Sequence, residues 1–462
     1  MMTQHLTHEQ LIGYIYAMLT DIEREDVDLH ISECATCRTS LTEQETIYRQ
    51  IHYSVLKLRR VRPPESTAYN AVAGRLRRSK KMARLWTVSG QVLAAAGFVI
   101  VFGLVALGLI NVFGGSPQPV TTAISQGTTF RGNPQRTGQY EVMLAPRLGE
   151  LAWMFETKYA IWTSPVMAGE TVYINSNDNM LYALDRQTGQ PKWTFAQKSS
   201  AFSSPTFDNG IVYVGDAYYL YAVDAETGVE KWRYEEGFIN NSPLVVDNTV
   251  YIGTGYGLLA LDAQLATLRW EFPVSGSMYS SPAAADGVLY FGTGRGDLFA
   301  LDAETGQELW KFTASATIES TPAIANGVVY VGSNDRHLYA LDAKTGALKW
   351  KFKTGDFVFS SPAIADGVVY FGSGDYHLYA LDAETGELKW QFKTGMWVKS
   401  SPAVAGGVVY FGSFDKHLYA VESQTGELVW KYETGAGVKS SPLVAEGIVY
   451  FASEDGTLYA VR

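Results

Sequence analysis

The chain has 462 residues, a net charge of −10, and only two cysteines, Cys34 and Cys37. The charge is unevenly divided: residues 1–84 carry 13 Lys+Arg against 10 Asp+Glu, and the remainder carries 24 against 37. An acidic main body is a poor match for a polyanion, so no nucleic-acid partner is expected, and everything beyond residue 37 must fold without a disulfide.

Residues 1–58 read as helices. Thr7-His8-Glu9-Gln10 and Thr20-Asp21-Ile22-Glu23 fit capping boxes before apolar-periodic runs, which predicts helices near 8–18, 21–32 and 35–58. Within this segment stands His30-(x3)-Cys34-(x2)-Cys37. Two thiolates and an imidazole at that spacing supply three corners of a tetrahedral zinc site, and His5 or His8 can supply the fourth. A redox Cys-x-x-Cys would need a βαβ setting that is missing, and a c-type haem would need histidine where Arg38 stands.

A basic segment comes next at 59–84, broken by Pro63-Pro64, with a further helix expected near 66–82. Residues 92–110 are then 19 consecutive apolar residues inside an uncharged stretch from 85 to 130. That is long enough to span a bilayer and too far into the chain for a cleaved signal peptide. Nine Lys/Arg lie in residues 59–84, before the uncharged stretch, and none lies in 111–130, after the apolar run. The expected topology is a single transmembrane helix (85–113) in a bacterial cytoplasmic membrane, with residues 1–84 cytoplasmic and the rest outside. Residues 114–149 are expected to form a flexible linker and a cap over one face of the C-terminal domain.

From 150 to 462 the chain repeats itself with a period of 38 to 40 residues. Prolines at Pro165, Pro205, Pro243, Pro282, Pro322, Pro362, Pro402 and Pro442, each after Ser or Thr, mark the copies; eight tryptophans from Trp153 to Trp430 keep the same beat. Each copy holds four short β-branched and aromatic runs. Tight turns such as Asp366-Gly367 separate some of them, and Asp382-Ala-Glu-Thr-Gly386 has the chemistry of a type I turn closed by a left-handed glycine. Four strands repeated eight times give an all-β eight-bladed propeller. The first tryptophan run, 151–156, precedes the first Ser-Pro, and the last copy lacks one, so 151–156 is expected to complete the last blade.

Two resemblances rest on these motifs. Residues 3–41, with His30, Cys34 and Cys37, resemble the zinc-binding anti-sigma domain, in which an N-terminal His or Cys joins His-(x3)-Cys-(x2)-Cys on the metal. His5 fits that spacing better than His8. The resemblance implies an extracytoplasmic-function sigma factor as a cytoplasmic partner. The stretch Tyr16-Ala17-Met18-Leu19 departs from that family's usual Asp-Gly-Glu-Leu. The Ala380-x-Asp382-x-x-Thr385-Gly386-x-x-x-Trp390 pattern, recurring around the repeats, resembles the pyrroloquinoline quinone (PQQ)-like repeat family. That family includes quinone-dependent alcohol dehydrogenases, a lipoprotein of outer-membrane assembly, and propellers without cofactor. The third repeat departs from the pattern, with Ala263-Gln264-Leu265-Ala266-Thr267 in place of the Thr-Gly turn.

The dehydrogenases' adjacent cysteines have no counterpart in the propeller, and no matching calcium-ligand set is found, so PQQ and catalysis are not expected. His337, His377 and His417 recur at 40-residue spacing, but equivalent positions around a wheel cannot converge on one ion at about 2 Å. The copies differ most three residues before each proline: Trp162, Phe202, Asn240, Tyr279, Glu319, Phe359, Lys399 and Lys439. Loops into the first strand lie near a propeller's mouth, so this set is a candidate face for a protein, peptide or glycan ligand; the alternative is that it lines a water-filled channel. The sequence therefore supports a single-pass membrane regulator with a zinc-bearing anti-sigma-like module inside and a ligand-binding propeller outside. The alternatives are an envelope scaffold or assembly propeller without a signalling role, and a PQQ-dependent dehydrogenase.

Overall fold

A computed structural model of the chain describes residues 129–141, 148–200 and 202–462. The helical zinc module with His5, His30, Cys34 and Cys37, the basic segment and the expected membrane span lie outside the described residues. Among the described residues, no helix is long and apolar enough to cross a membrane.

Each repeat folds as a four-stranded antiparallel sheet. In the repeat 363–393 the strands are Ala363–Ala365, Val368–Gly372, His377–Asp382 and Leu388–Lys393. The first three are almost wholly buried, whereas Leu388–Lys393 alternates between exposed and half-buried residues. That is why its sequence alone alternates charge with aromatic: Trp390 and Phe392 face the neighbouring blade, and Lys389, Gln391 and Lys393 face water, which also guards the outer edge against pairing. The turn at Asp366-Gly367 has positive φ at both residues (50° and 75°), the mirror-image turn that matches strand twist.

Blades 1 to 7 occupy 166–196, 206–235, 244–273, 283–313, 323–353, 363–393 and 403–433. Blade 8 takes three strands from 443–461 and its outermost from Leu151–Glu156, which pairs antiparallel with Thr457–Val461. The two ends of the repeat region thus close one sheet, as the sequence predicts, and the ring has no open seam.

The Ser/Thr-Pro motif has a physical purpose that only the ring reveals. The amide of each Ser or Thr donates to the hydroxyl of its counterpart in the next blade. The belt runs Ser164 to Ser204 (2.9 Å), Ser204 to Ser242 (3.1 Å), Ser242 to Ser281 (2.9 Å) and Ser281 to Thr321 (3.2 Å). It continues Thr321 to Ser361 (3.0 Å), Ser361 to Ser401 (3.0 Å) and Ser401 to Ser441 (3.2 Å), and returns from Ser441 to Ser164 (2.9 Å). An alanine at any of these sites would leave a buried amide without its acceptor.

A second latch works at the opposite face. Trp350 Nε1 donates to the Ala383 carbonyl (3.1 Å), and Tyr330 Oη donates to the same oxygen (3.0 Å). The Trp350 ring lies against Gly386 of the following blade, where an added Cβ would come within 2.7 Å of the ring at a φ of +76°. The tryptophan and the Thr-Gly turn recur together because they touch across the blade junction. In the third repeat Ala266 stands where the other turns have glycine, and it holds the same left-handed backbone at φ 54°.

Residues 129–141 run inside the wheel, along its inner wall. The middle amide of four successive inner strands points into the channel and meets a carbonyl of this segment. Ala284, Ile324, Ile364 and Val404 donate to Pro134, Gln135, Thr137 and Gly138 at 2.8 to 3.0 Å. Gln139–Tyr140 then adds a short parallel strand beside Ala403–Ala405. Two arginines fill the centre. Arg136 is wholly buried and donates to Pro282 O (3.2 Å), Pro243 O (3.0 Å), Phe130 O (2.5 Å) and Thr129 Oγ1 (2.9 Å). Arg131 donates to the carbonyls of Arg136 (3.0 Å), Ser361 (3.1 Å) and Pro362. Proline at the head of each inner strand lacks an N–H but keeps a carbonyl, and four of the arginine bonds end on the carbonyls of these Ser-Pro pairs. Part of the segment expected as a cap is therefore a plug, and the channel it occupies is not an open water-filled passage at that level.

Alkali should undo this packing. Tyr140, Tyr290, Tyr330, Tyr370, Tyr450 and Tyr459 are each pushed up from 10.0 to about 12, chiefly by burial. A tyrosine whose folded pKa is raised stabilises the fold fully below pH 10 and loses that contribution as the pH climbs toward 12. Burial lowers Arg131 from 12.5 to about 10 and Arg136 to about 9, which acts in the opposite sense, but for two groups against six. The midpoint of denaturant unfolding is expected to be lower at pH 11 than at pH 9; an unchanged or higher midpoint would contradict this assignment.

Candidate functional site

The loop from each fourth strand to the next first strand opens on one face, together with the turns between second and third strands. The two are tied by aspartates. Asp375 Oδ2 accepts from the Gly355 amide (2.7 Å) and from Tyr379 Oη (2.8 Å). Asp415 and Asp455 accept likewise from Gly395 and Gly435 and from Tyr419 and Tyr459. These carboxylates are consumed in holding the loops rigid. The histidines behave the same way: Nδ1 of His337, His377 and His417 meets the backbone oxygen of the aspartate two residues earlier at 2.9 to 3.0 Å. Among the described residues, no group of His, Cys, Asp or Glu could hold a metal ion.

Within this frame each loop alternates. Val358, Val398 and Val438 are buried between blades, while the residues after them, Phe359, Lys399 and Lys439, are only partly buried. The variable set forms a ring around the mouth, and part of it is in direct contact. Lys439 Nζ lies 4.7 Å from the centre of the Trp162 ring, and Trp162 lies 5.7 Å from Phe202. Lys399 Nζ lies 4.2 Å from the centre of the Phe359 ring. Phe359, Lys399, Lys439, Trp162 and Phe202 thus make one arc over five consecutive loops. On the loop next to that of Phe359, Glu319 accepts a hydrogen bond from Asn334 Nδ2 (3.0 Å). Asn240 and Tyr279 hold their places on the ring without a ring contact or hydrogen bond to another member among the described residues.

Burial and neighbouring charge both act on the arc. The Lys439 ammonium is held below its ordinary range first by burial and then by the neighbouring charge of Lys399, with Glu454 and Glu319 pulling the other way. Its aromatic neighbour offers cation–π attraction, worth about 0.5–2 kcal/mol, but no hydrogen bond.

Exposed apolar residues divide by face. Tyr159, Tyr218, Phe238, Phe357, Tyr376 and Trp397 all sit in mouth-side loops or turns, together with Trp162, Phe202 and Tyr279. Those elsewhere are aliphatic, as with Leu268, Leu309, Leu348, Leu388 and Leu428 on fourth strands. The single variable column before each proline leaves out Trp397, which meets Phe414 at 6.2 Å, and Phe238, which meets Tyr256 at 6.2 Å. Comparing every loop position across the copies, instead of that one column, would have found them.

Comparisons with known proteins agree with this architecture. The family model for outer membrane protein assembly factor BamB matches residues 138–281, 275–356, 327–412 and 394–462. No curated protein matches the chain. Among solved structures, BamB from Moraxella catarrhalis is 18% identical, with a TM-score of 0.61, over 67% of this chain and 98% of that one. The computationally designed Ika8 protein is 19% identical, with a TM-score of 0.61, over 66% and 97%. The quinohemoprotein alcohol dehydrogenase from Comamonas testosteroni is 17% identical, with a TM-score of 0.65, over 74% and 81%. At these identities the solved structures share the fold alone. With the family model covering residues 138 to 462, all eight blades, the chain belongs to the outer membrane protein assembly factor BamB family of PQQ-like-repeat propellers.

Proposed function

We propose that this chain is a bacterial membrane regulator that acts by binding and not by turnover. Its propeller lies outside the cytoplasmic membrane, anchored by the apolar stretch 92–110, and receives a ligand or protein at its mouth. Residues 1–58, with zinc on His5, His30, Cys34 and Cys37, stand on the cytoplasmic side and engage an extracytoplasmic-function sigma factor. Ligand at the mouth alters access to that partner.

The observation that carries the binding role is the filled channel. A flat quinone on the propeller axis at the level of the inner strands would have to displace Arg131 and Arg136, whose donors already lie on carbonyls and one hydroxyl. It would also find no thiol to stack on, since both cysteines lie before residue 38. The residues present do not suit that cofactor. The mouth, by contrast, offers aromatic anchors and two lysines without a direct ion pair among the described residues, the composition of a recognition surface.

The full-length protein, purified with added quinone and calcium, is expected to give no dye-linked alcohol oxidation; sustained turnover would overturn the reading. Tagged full-length protein is expected to co-purify a sigma factor from membranes, with its amino terminus shielded from impermeant reagents on intact cells. Family membership favours a second reading, an envelope assembly propeller without signalling. Absence of a sigma factor, with envelope proteins recovered in its place, would select it.

A further inference from the structure

Resting on the reading of the propeller as a binding module, we propose that the arc made by Phe359, Lys399, Lys439 and Trp162 captures the free α-carboxylate at the end of a polypeptide.

Three observations converge on this. The first is charge with no carboxylate in direct contact. Lys399 and Lys439 make no ion pair or hydrogen bond among the described residues; Phe359 and Trp162 are their ring contacts, and Glu454 and Glu319 act on Lys439 only from a distance. Two ammonium groups side by side, both partly buried, are costly to hold together unless an anion joins them, and a carboxylate brings two acceptor oxygens to two donors.

The second is what surrounds that charge. The arc is walled by Phe359 on one side and by Trp162 and Phe202 on the other. The Trp162 and Phe359 rings already have ammonium groups over them, which leaves less open face for a sugar to stack on. Phe202 is exposed and free to take an apolar side chain adjoining the carboxylate. This combination of anion and neighbouring apolar group is that of a peptide's last residue, one of the recurring modes of peptide capture.

The third is depth. Behind the mouth the channel is filled, with Arg136 reaching the Pro243 and Pro282 carbonyls. A chain can enter end-first but cannot thread through, so a terminus is favoured over an internal segment.

The test uses the full-length protein in detergent and two fluorescent peptides of one sequence ending in leucine, one with a free carboxylate and one with a C-terminal amide. Anisotropy titrations are expected to give at least tenfold tighter binding for the free carboxylate, weakening as salt rises. Lys439→Met and Lys399→Met should each remove most of that preference while leaving the unfolding midpoint within error, since neither side chain holds the fold. A polyuronate should compete poorly with the carboxylate peptide. Equal binding of both peptides, no binding of either, or strong competition by the polyuronate would overturn the proposal. None of these results touches the sigma-factor test, so the two can fail separately.

Discussion

Replacing Arg136 by alanine is expected to destabilise the propeller by about 3 kcal/mol or more and to release residues 129–141 from the channel. The side chain is fully buried and ties three separate parts of the molecule together: blade 3 through Pro243, blade 4 through Pro282, and its own segment through Phe130 and Thr129. Each bond from a charged donor contributes about 1.5–3 kcal/mol, but water entering an emptied channel would satisfy some of the abandoned carbonyls, so the full sum is not expected. Arg136→Lys should recover only part of the loss, because a single ammonium cannot reproduce a planar fork that reaches several acceptors. Two measurements check this: denaturant unfolding, and trypsin digestion under native conditions. In the wild type Arg131 and Arg136 are both buried and should resist cleavage. In Arg136→Ala, cleavage after Arg131 should appear well before the blades are cut. A variant that keeps wild-type stability and protease resistance would contradict the role given to the plug.

The second large effect concerns the seam between blades. Trp350→Ala is expected to destabilise by about 3 kcal/mol, from lost ring burial and the cavity left against blade 6. Gly386→Ala should cost about 1–3 kcal/mol by itself, since φ +76° disfavours a side chain and its Cβ would press on the Trp350 ring. Because these residues touch, the costs should not add. In the Trp350→Ala background the clash is gone and only the backbone strain remains, so the double variant should be more stable than the sum of the singles implies. Strict additivity within about 0.3 kcal/mol would mean that the tryptophan and the turn act independently.

Most of the wheel is legible in the sequence for a simple reason: a repeat states its own rules many times. The Ser-Pro beat and the Thr-Gly–Trp spacing each reflect a contact made eight times or nearly so, the tight turns such as Asp366-Gly367 recur with changing residues, and the place of the odd run at 151–156 comes from counting strands. Other features are not written in any single copy. The serine belt and the Trp350–Gly386 contact lie between repeats, so the residues are visible in the sequence but their partners are not. The plug is illegible because 129–141 belongs to no repeat, and nothing local in it says that Arg131 and Arg136 will end on proline carbonyls more than a hundred residues away. At the mouth, disagreement between copies locates the ring of variable residues. That Lys439 would sit on Trp162 and Lys399 on Phe359 depends on which blades are neighbours and which way each loop turns its side chains.

The binding role depends above all on the chain filling its own channel. The hydroxyl oxygens of Thr129 and Thr206 lie 3.3 Å apart inside the wheel, close enough for cysteines at those positions to be bridged. The propeller has no thiol of its own, and peptide mapping separates any product from Cys34 and Cys37. In the full-length Thr129→Cys/Thr206→Cys variant, mild oxidation and then mass spectrometry are expected to find the peptides containing residues 129 and 206 joined in high yield. Recovery of both thiols free and readily alkylated in the folded protein would mean that the channel stands open and the mouth has no floor.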